Sequence, residues 1–205
     1  MMNTISKHDG QLLLKLAREH IATRFDKKNT RLAALEKHCT SPVMKENRGV
    51  FVTLHKNGTL RGCIGTIEPV KSLMDGVSEN AIHAAFNDSR FKPLSHDELK
   101  DIHIEISILT PPEKLDYSGG NDLLSRLRPE IDGVIIEKGY HRATFLPQVW
   151  DQLKDGRDFL NHLCLKAGLA SDEWKSGKLE ICIYQVQSFE EDDPFSAQTQ
   201  ETYDH

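Results

Sequence analysis

The sequence predicts an α+β fold in which a hairpin, a helix pair and a strand occur twice in that order and close into one compact unit. Three observations predict it. Asn57-Gly58, the strongest short hairpin signal, is flanked by apolar β-formers between Gly49 and Gly65. Ile102, Ile104, Ile106 and Ile108 alternate with His103, Glu105, Ser107 and Leu109, the pattern of a strand with one face in a core. The same order then returns from Gly133, 84 residues after Gly49. Shared residue identity between the halves is slight, so the duplication rests on element order.

Each element has its own signal. Leu12, Leu13, Leu16, Ala17, His20 and Ile21 recur at helical spacing within Asp9–Phe25, and Ser6 with Asp9 resembles a capping box. Leu32, Ala33 and Leu35 suit a short helical turn. After the first hairpin, Val70, Leu73, Met74, Val77, Ala81, Ala84 and Ala85 mark a helical segment. Pro69 suits its first position and Gly76 is expected to divide it in two. Pro111-Pro112 ends the isoleucine strand, and a short helix is expected near Asn121–Leu127.

In the second half, Gly133–Pro147 reads as a hairpin, Val149–Leu153 and Phe159–Ala167 as helical faces separated at Asp155-Gly156, and Leu179–Phe189 as one closing strand. Gly168 suits a helix stop. The expected organisation is one domain over residues 1–189, with repeats at about 49–110 and 133–189 and an acidic disordered tail over 190–205. On a fixed offset, Cys63 and Pro147 occupy matching positions, and clefts between pseudo-symmetric halves often bind ligands.

Composition narrows the classes of function. The chain has 205 residues, enough to bury roughly 70% of its unfolded surface without staples. Cys39, Cys63, Cys164 and Cys182 are scattered, without a C-x-x-C pair, so neither a disulfide framework nor a zinc site is expected. The N-terminus lacks the apolar stretch of a signal peptide, and no aliphatic run approaches membrane length, so a cytoplasmic, membrane-free protein is expected. Net charge is −5, of which Glu190, Glu191, Asp192, Asp193, Glu201 and Asp204 carry −6; the body is therefore near +1. That leaves no basic excess for nucleic acid. No dinucleotide, P-loop or serine-hydrolase motif occurs, and His83, His103, His141 and His162 lack metal-binding spacing, so no cofactor or metal is expected.

Thr59-Leu-Arg61-Gly62-Cys63-Ile64-Gly65 resembles the hallmark of the AMMECR family, also called AmmeMemoRadiSam system protein A. Gly49-Val-Phe-Val-Thr-Leu, Asp88-Ser-Arg90-Phe91, Ile104-Glu105-Ile-Ser107, Asp132-Gly133-Val, Phe145-Leu-Pro147-Gln148-Val and His162-Leu-Cys164 extend the likeness to Phe189. Ser89 departs from the family, where Pro is common. The resemblance implies an α+β fold with two β-β-β-α-α-β-like repeats. It also implies work alongside a Memo-like protein and a radical S-adenosylmethionine protein, but no substrate.

The candidate site is centred on Cys63. Arg61 is expected on the same strand face, where a guanidinium favours thiolate, and Gly62 and Gly65 would let a small molecule approach the backbone. The alternative is a small hydrophobe in a glycine-cramped strand. Asp88 and Arg90 form either a loop-fixing pair or an anion clamp. Glu105 is a general-base candidate if its face lines a cleft, though a solvated sheet face is the simpler reading. Gln148 is either a hydrogen-bonding group in that cleft or an ordinary helix-start residue. Two functions follow: a thiol-dependent enzyme component or small-molecule binder, and a non-catalytic adaptor.

Overall fold

The computed structural model describes residues 4–26 and 30–191. The chain begins with α1 (Lys7–Ala22) and α2 (Arg31–Glu36), followed by β1 (Val50–Lys56), β2 (Thr59–Thr66), α3 (Leu73–Phe86) and β3 (Ile102–Leu109). It continues through β4 (Glu113–Lys114), α4 (Gly120–Arg126), β5 (Gly133–Lys138), β6 (His141–Phe145), α5 (Gly156–Lys166), β7 (Glu180–Tyr184) and β8 (Val186–Glu190). Two compact units result: Met1–Ile108 with Gln187–His205, and Leu109–Val186. No helix among the described residues is long and apolar enough to cross a membrane.

Each unit holds one four-stranded sheet, ordered β2-β1-β3-β8 in the first and β4-β7-β5-β6 in the second. Written from the hairpin's outer strand, these are β2-β1-β3-β8 and β6-β5-β7-β4, the same order twice. The fourth strand is exchanged: β4 follows β3 in the chain but pairs with β7, whereas β8 follows β7 and joins β3. The stretch expected as one strand over Leu179–Phe189 is therefore two, broken at Gln185. There the Gln185 N–H donates to Thr110 Oγ1 and its carbonyl accepts the Thr110 N–H, both at 2.9 Å. These bonds satisfy a backbone that has left both ladders.

In the first unit, Val50, Val52 and Leu54 of β1 and Ile104, Ile106 and Ile108 of β3 form one buried face. Leu13, Leu16, Ala17 and Ile21 of α1 and Leu73, Val77, Ala81 and Ala84 of α3 pack in the same core. Ser6 caps α1 as expected, its Oγ accepting the Asp9 N–H at 3.0 Å. Gly76 does not divide the helical segment: α3 runs unbroken, and a Cβ at Gly76 would lie 2.8 Å from Val50 Cγ1. The glycine lets helix and sheet approach. The helix also starts later than Pro69 suggested, because Ser72 caps it by accepting the Asp75 N–H.

The tail begins later than expected. Glu190 lies in β8, and Glu191 binds Arg18 Nε and Nη2, each at 2.5 Å, while accepting the Ile104 N–H. Residues 192–205, expected as disordered, lie outside the described residues. In the second unit, Val134, Ile136, Trp150, Phe159, Leu163 and Ile181 lead a separate core. Asp155 caps α5, Gly168 ends it at φ 74°, and α4 falls where the short helix was expected.

Candidate functional site

Cys63 lies in β2, an edge strand, with Thr53 of β1 and then Glu105 of β3 beside it across the sheet. Opposed residues in a sheet share a face, so these three form a row on the side away from the core. The Thr53 hydroxyl donates to Cys63 Sγ at 3.3 Å. Glu105 accepts a bond from Ser107 Oγ at 3.3 Å and faces His55 Nε2 at 3.5 Å. Ser107 Oγ also meets Ser188 Oγ of β8 at 3.3 Å. This face is therefore a hydrogen-bonded polar surface with Cys63 half-buried at its edge.

The loop after α3 closes the open side of β2. Asp88 Oδ2 accepts the Cys63 N–H at 2.9 Å, and Arg90 Nη2 donates to the Cys63 carbonyl at 3.1 Å. Two side chains thus replace a neighbouring strand and leave the cysteine backbone no freedom. Asp88 is almost fully buried, 4% exposed at its side chain, while Arg90 is 54% exposed. Arg90 Nε and Nη2 grip the Asp88 carboxylate at 3.0 and 2.7 Å. That grip, aided by the Cys63 and Arg90 N–H groups, holds the Asp88 carboxyl well below the usual carboxylate range even though burial opposes it. The Arg90 guanidinium is pushed up, chiefly by its hydrogen bonds to Asp88.

Arg61 takes a different place from the one expected. The β1–β2 register shifts between Leu54 and His55, so that Gly62 opposes Leu54, Leu60 opposes His55, and Arg61 is the extra residue of a bulge. The strict alternation that would have set Arg61 beside the sulfur is broken there. Its guanidinium instead donates twice to Glu98, both at 3.1 Å, and once to the Lys92 carbonyl at 2.9 Å. Arg61, with the Ser95 N–H and Lys56, holds the Glu98 carboxyl well below its ordinary range. Phe91 lies under both guanidiniums, 5.9 Å from Arg61 Cζ and 5.4 Å from Arg90 Cζ.

The two glycines serve packing. A Cβ at Gly62 would stand 2.2 Å from the Ala84 carbonyl oxygen, and one at Gly65 would collide with the Phe51 ring at 2.3 Å. Gln148 sits exposed in a short 3-10 turn of the second unit, and its side chain makes no hydrogen bond among the described residues. The second hairpin is shorter, pairing Val134 with Phe145 where the first pairs Val50 with Thr66. Aligning Val50 with Val134 therefore sets Arg142, not Pro147, at the Cys63 position. The matching row is Arg142, Glu137 and Glu180.

Glu98, Thr53 and His55 were not among the expected site residues. Ser95-x-x-Glu98 is a capping-box spacing, and Glu98 does accept the Ser95 N–H at 3.0 Å. Thr53 and His55 share the odd-numbered face of β1, but their partners become visible only once the register is known. Among the described residues, no three His, Cys, Asp or Glu side chains are grouped to hold a metal ion.

The fold and this edge-strand cysteine define an α+β protein of two similar sheets with a thiol presented on a polar face. The AMMECR1 family model matches residues 14–189, and the chain belongs to that family. A protein of Methanothermobacter thermautotrophicus is 43% identical over 190 residues, covering 92% of this chain and 97% of its own. One from Methanopyrus kandleri is 37% identical, covering 95% and 94%. The crystal structure of an uncharacterised protein, PH0010, from Pyrococcus horikoshii superimposes with a TM-score of 0.77 at 32% identity, covering 93% of this chain and 95% of the other.

Proposed function

We propose that the first unit presents Cys63 as the nucleophilic group of a small-molecule site, making the chain a thiol-dependent enzyme component. The observation that carries this reading is the double tether of the Cys63 backbone by Asp88 and Arg90, together with the Thr53 hydroxyl donated to its sulfur. The backbone bonds would serve any residue at this position and fix where the side chain sits, whereas a cysteine serving only as filler needs no hydroxyl donor at its sulfur. A hydroxyl donor binds a charged sulfur more strongly than a neutral one, and the Arg90 cation is held beside the cysteine by its 3.1 Å bond to the Cys63 carbonyl. The His55–Glu105 pair supplies proton-accepting groups on the same face. Arg61, bound through Nε and Nη2 to Glu98 and the Lys92 carbonyl, positions the loop that carries Asp88 and Arg90, while its buried Nη1 has no hydrogen-bond partner among the described residues.

Work alongside Memo-like and radical S-adenosylmethionine proteins rests on the family resemblance, and a pull-down with purified partners tests it. The thiol is tested by substoichiometric alkylation of the native chain with peptide mapping. Burial pushes the Cys39, Cys164 and Cys182 thiols up. Cys63 is therefore expected to be labelled first, roughly tenfold or more ahead of buried Cys39 and Cys164. Labelling of Cys63 only in step with those two, on unfolding, would refute the proposal.

A further inference from the structure

A hollow within the second unit, independent of Cys63, has the composition of an anion site. It is a partly open cavity of about 380 Å³ lined by Gly120, Asn121, Arg157, Trp174 and Lys175. That volume falls in the range of small-molecule pockets. Its walls are built. Trp174 is 2% exposed, and its Nε1–H is fixed by Asn161 Oδ1 at 2.9 Å. A Cβ at Gly120 would lie 2.9 Å from Trp174 Cζ3 and 3.2 Å from Lys175 Cγ, so the glycine keeps the floor open.

The charge accounting decides the ligand. None of the five lining residues is acidic. Three carboxylates on the elements around the hollow are already engaged, and the exposed Asp158 and Asp172 are not among its lining residues. Asp122 bonds Ser118 and Arg126, Glu173 bonds Lys138 and Ser176, and Asp155 caps α5 by accepting the Arg157 and Asp158 N–H groups. The Arg157 guanidinium and the Lys175 ammonium make no ion pair among the described residues; Lys175 Nζ rests 5.4 Å from the Trp174 ring centroid. Like charges gathered at one hollow without counter-charge repel, and an arginine fork beside a lysine suits a doubly charged oxyanion. A single carboxylate would leave one cation unmatched, whereas a phosphate monoester carries about −1.5 to −2 at neutral pH.

We infer that this hollow binds the phosphate group of a small phosphorylated molecule, with Arg157 as the fork, Lys175 as the point charge and the Asn121 amide as a neutral donor. The test is an amide and indole NMR titration of the full chain at constant ionic strength. The probes are glycerol 3-phosphate, with glycerol, acetate and inorganic phosphate beside it. The Trp174 indole and Gly120 amide signals are expected to move saturably with glycerol 3-phosphate, at a half-point on the order of 1 mM. Glycerol and acetate should move them little, and inorganic phosphate should bind several-fold more weakly. Arg157→Gln and Lys175→Gln, both at exposed side chains, should each weaken binding roughly tenfold. Gly120→Ala, which fills the hollow, should abolish it, and Cys63→Ser should leave it unchanged. Shifts that track salt alone, that acetate reproduces, or that survive both cation substitutions overturn the inference.

Discussion

Asp88 concentrates more of the site's physics than any other side chain. Its carboxylate accepts the Cys63 N–H and the Arg90 N–H and takes two bonds from the Arg90 guanidinium, all while buried. A buried charge is tolerable only when so fully bonded. Because Arg90 holds its carboxyl well below the ordinary range, the native chain keeps this charge when the unfolded chain, near pH 4, takes up a proton. The stabilisation is complete above about pH 5 and is lost as pH falls. Asp88→Asn should cost about 1–3 kcal/mol at pH 7, and the gap to the parent protein should narrow toward pH 3. Melting curves at the two pH values check this; an unchanged gap would mean that Asp88 carries no charge-dependent stability.

At this scale the sequence was partly informative. It singled out Cys63, Asp88 and Arg90, which the structure brings together. It paired Arg61 with the sulfur, because its facing was inferred from strict alternation, which the bulge interrupts; the guanidinium binds Glu98 and the Lys92 carbonyl instead. It passed over Thr53, whose bond to the sulfur depends on register, a long-range property that no local pattern encodes.

Among elements, the contact of β2 with α3 sets where Cys63 can sit. Gly62 brings the strand against the Ala84 carbonyl, so Gly62→Ala places a methyl 2.2 Å from a backbone oxygen that cannot rotate away. The substitution should destabilise the first unit by about 1–3 kcal/mol or more and slide β2 outward, loosening the Asp88 and Arg90 bonds. Thermal unfolding with hydrogen exchange at the Cys63 amide measures both effects; a neutral substitution would show that the strand has slack. The first hairpin, the first helix cap and the long helices were legible because each has a local cause: Asn57-Gly58, Ser6 and helical spacing; Asp155, read only as an interruption, proved to be the cap of α5. Gly76 misled because an isolated glycine reads as a breaker, whereas here it makes room for Val50. The break at Gln185 had no local signal at all, since Leu179–Phe189 is continuously strand-like and only pairing divides it.

For the whole molecule, the exchanged fourth strands tie the two halves of the chain together. The same strand order in both sheets supports an origin by internal duplication. The exchange means that neither sheet is completed by its own stretch of chain. The β8 strand brings Phe189 against Gly10, the Gln187 side chain to the Ile5 backbone, and Glu191 to Arg18. Ending the chain at Gln185 should therefore lower the melting temperature of the first unit by roughly 10 °C or more, and a peptide spanning 186–191 should recover part of the loss. Independent, unchanged melting of the first unit would show that β8 is dispensable.

Under the proposed function, Asp88 and Arg90, bonded to the Cys63 N–H and carbonyl, hold Cys63 as a reactive thiol. The most direct measurement is the native alkylation rate of Cys63 in Arg90→Gln and Asp88→Asn, with Cys182 as internal reference. Removing the cation should slow Cys63 and removing the anion should quicken it, each by about 2–5-fold, while Cys182 stays constant. Rates that move together in both variants, or not at all, would contradict the account.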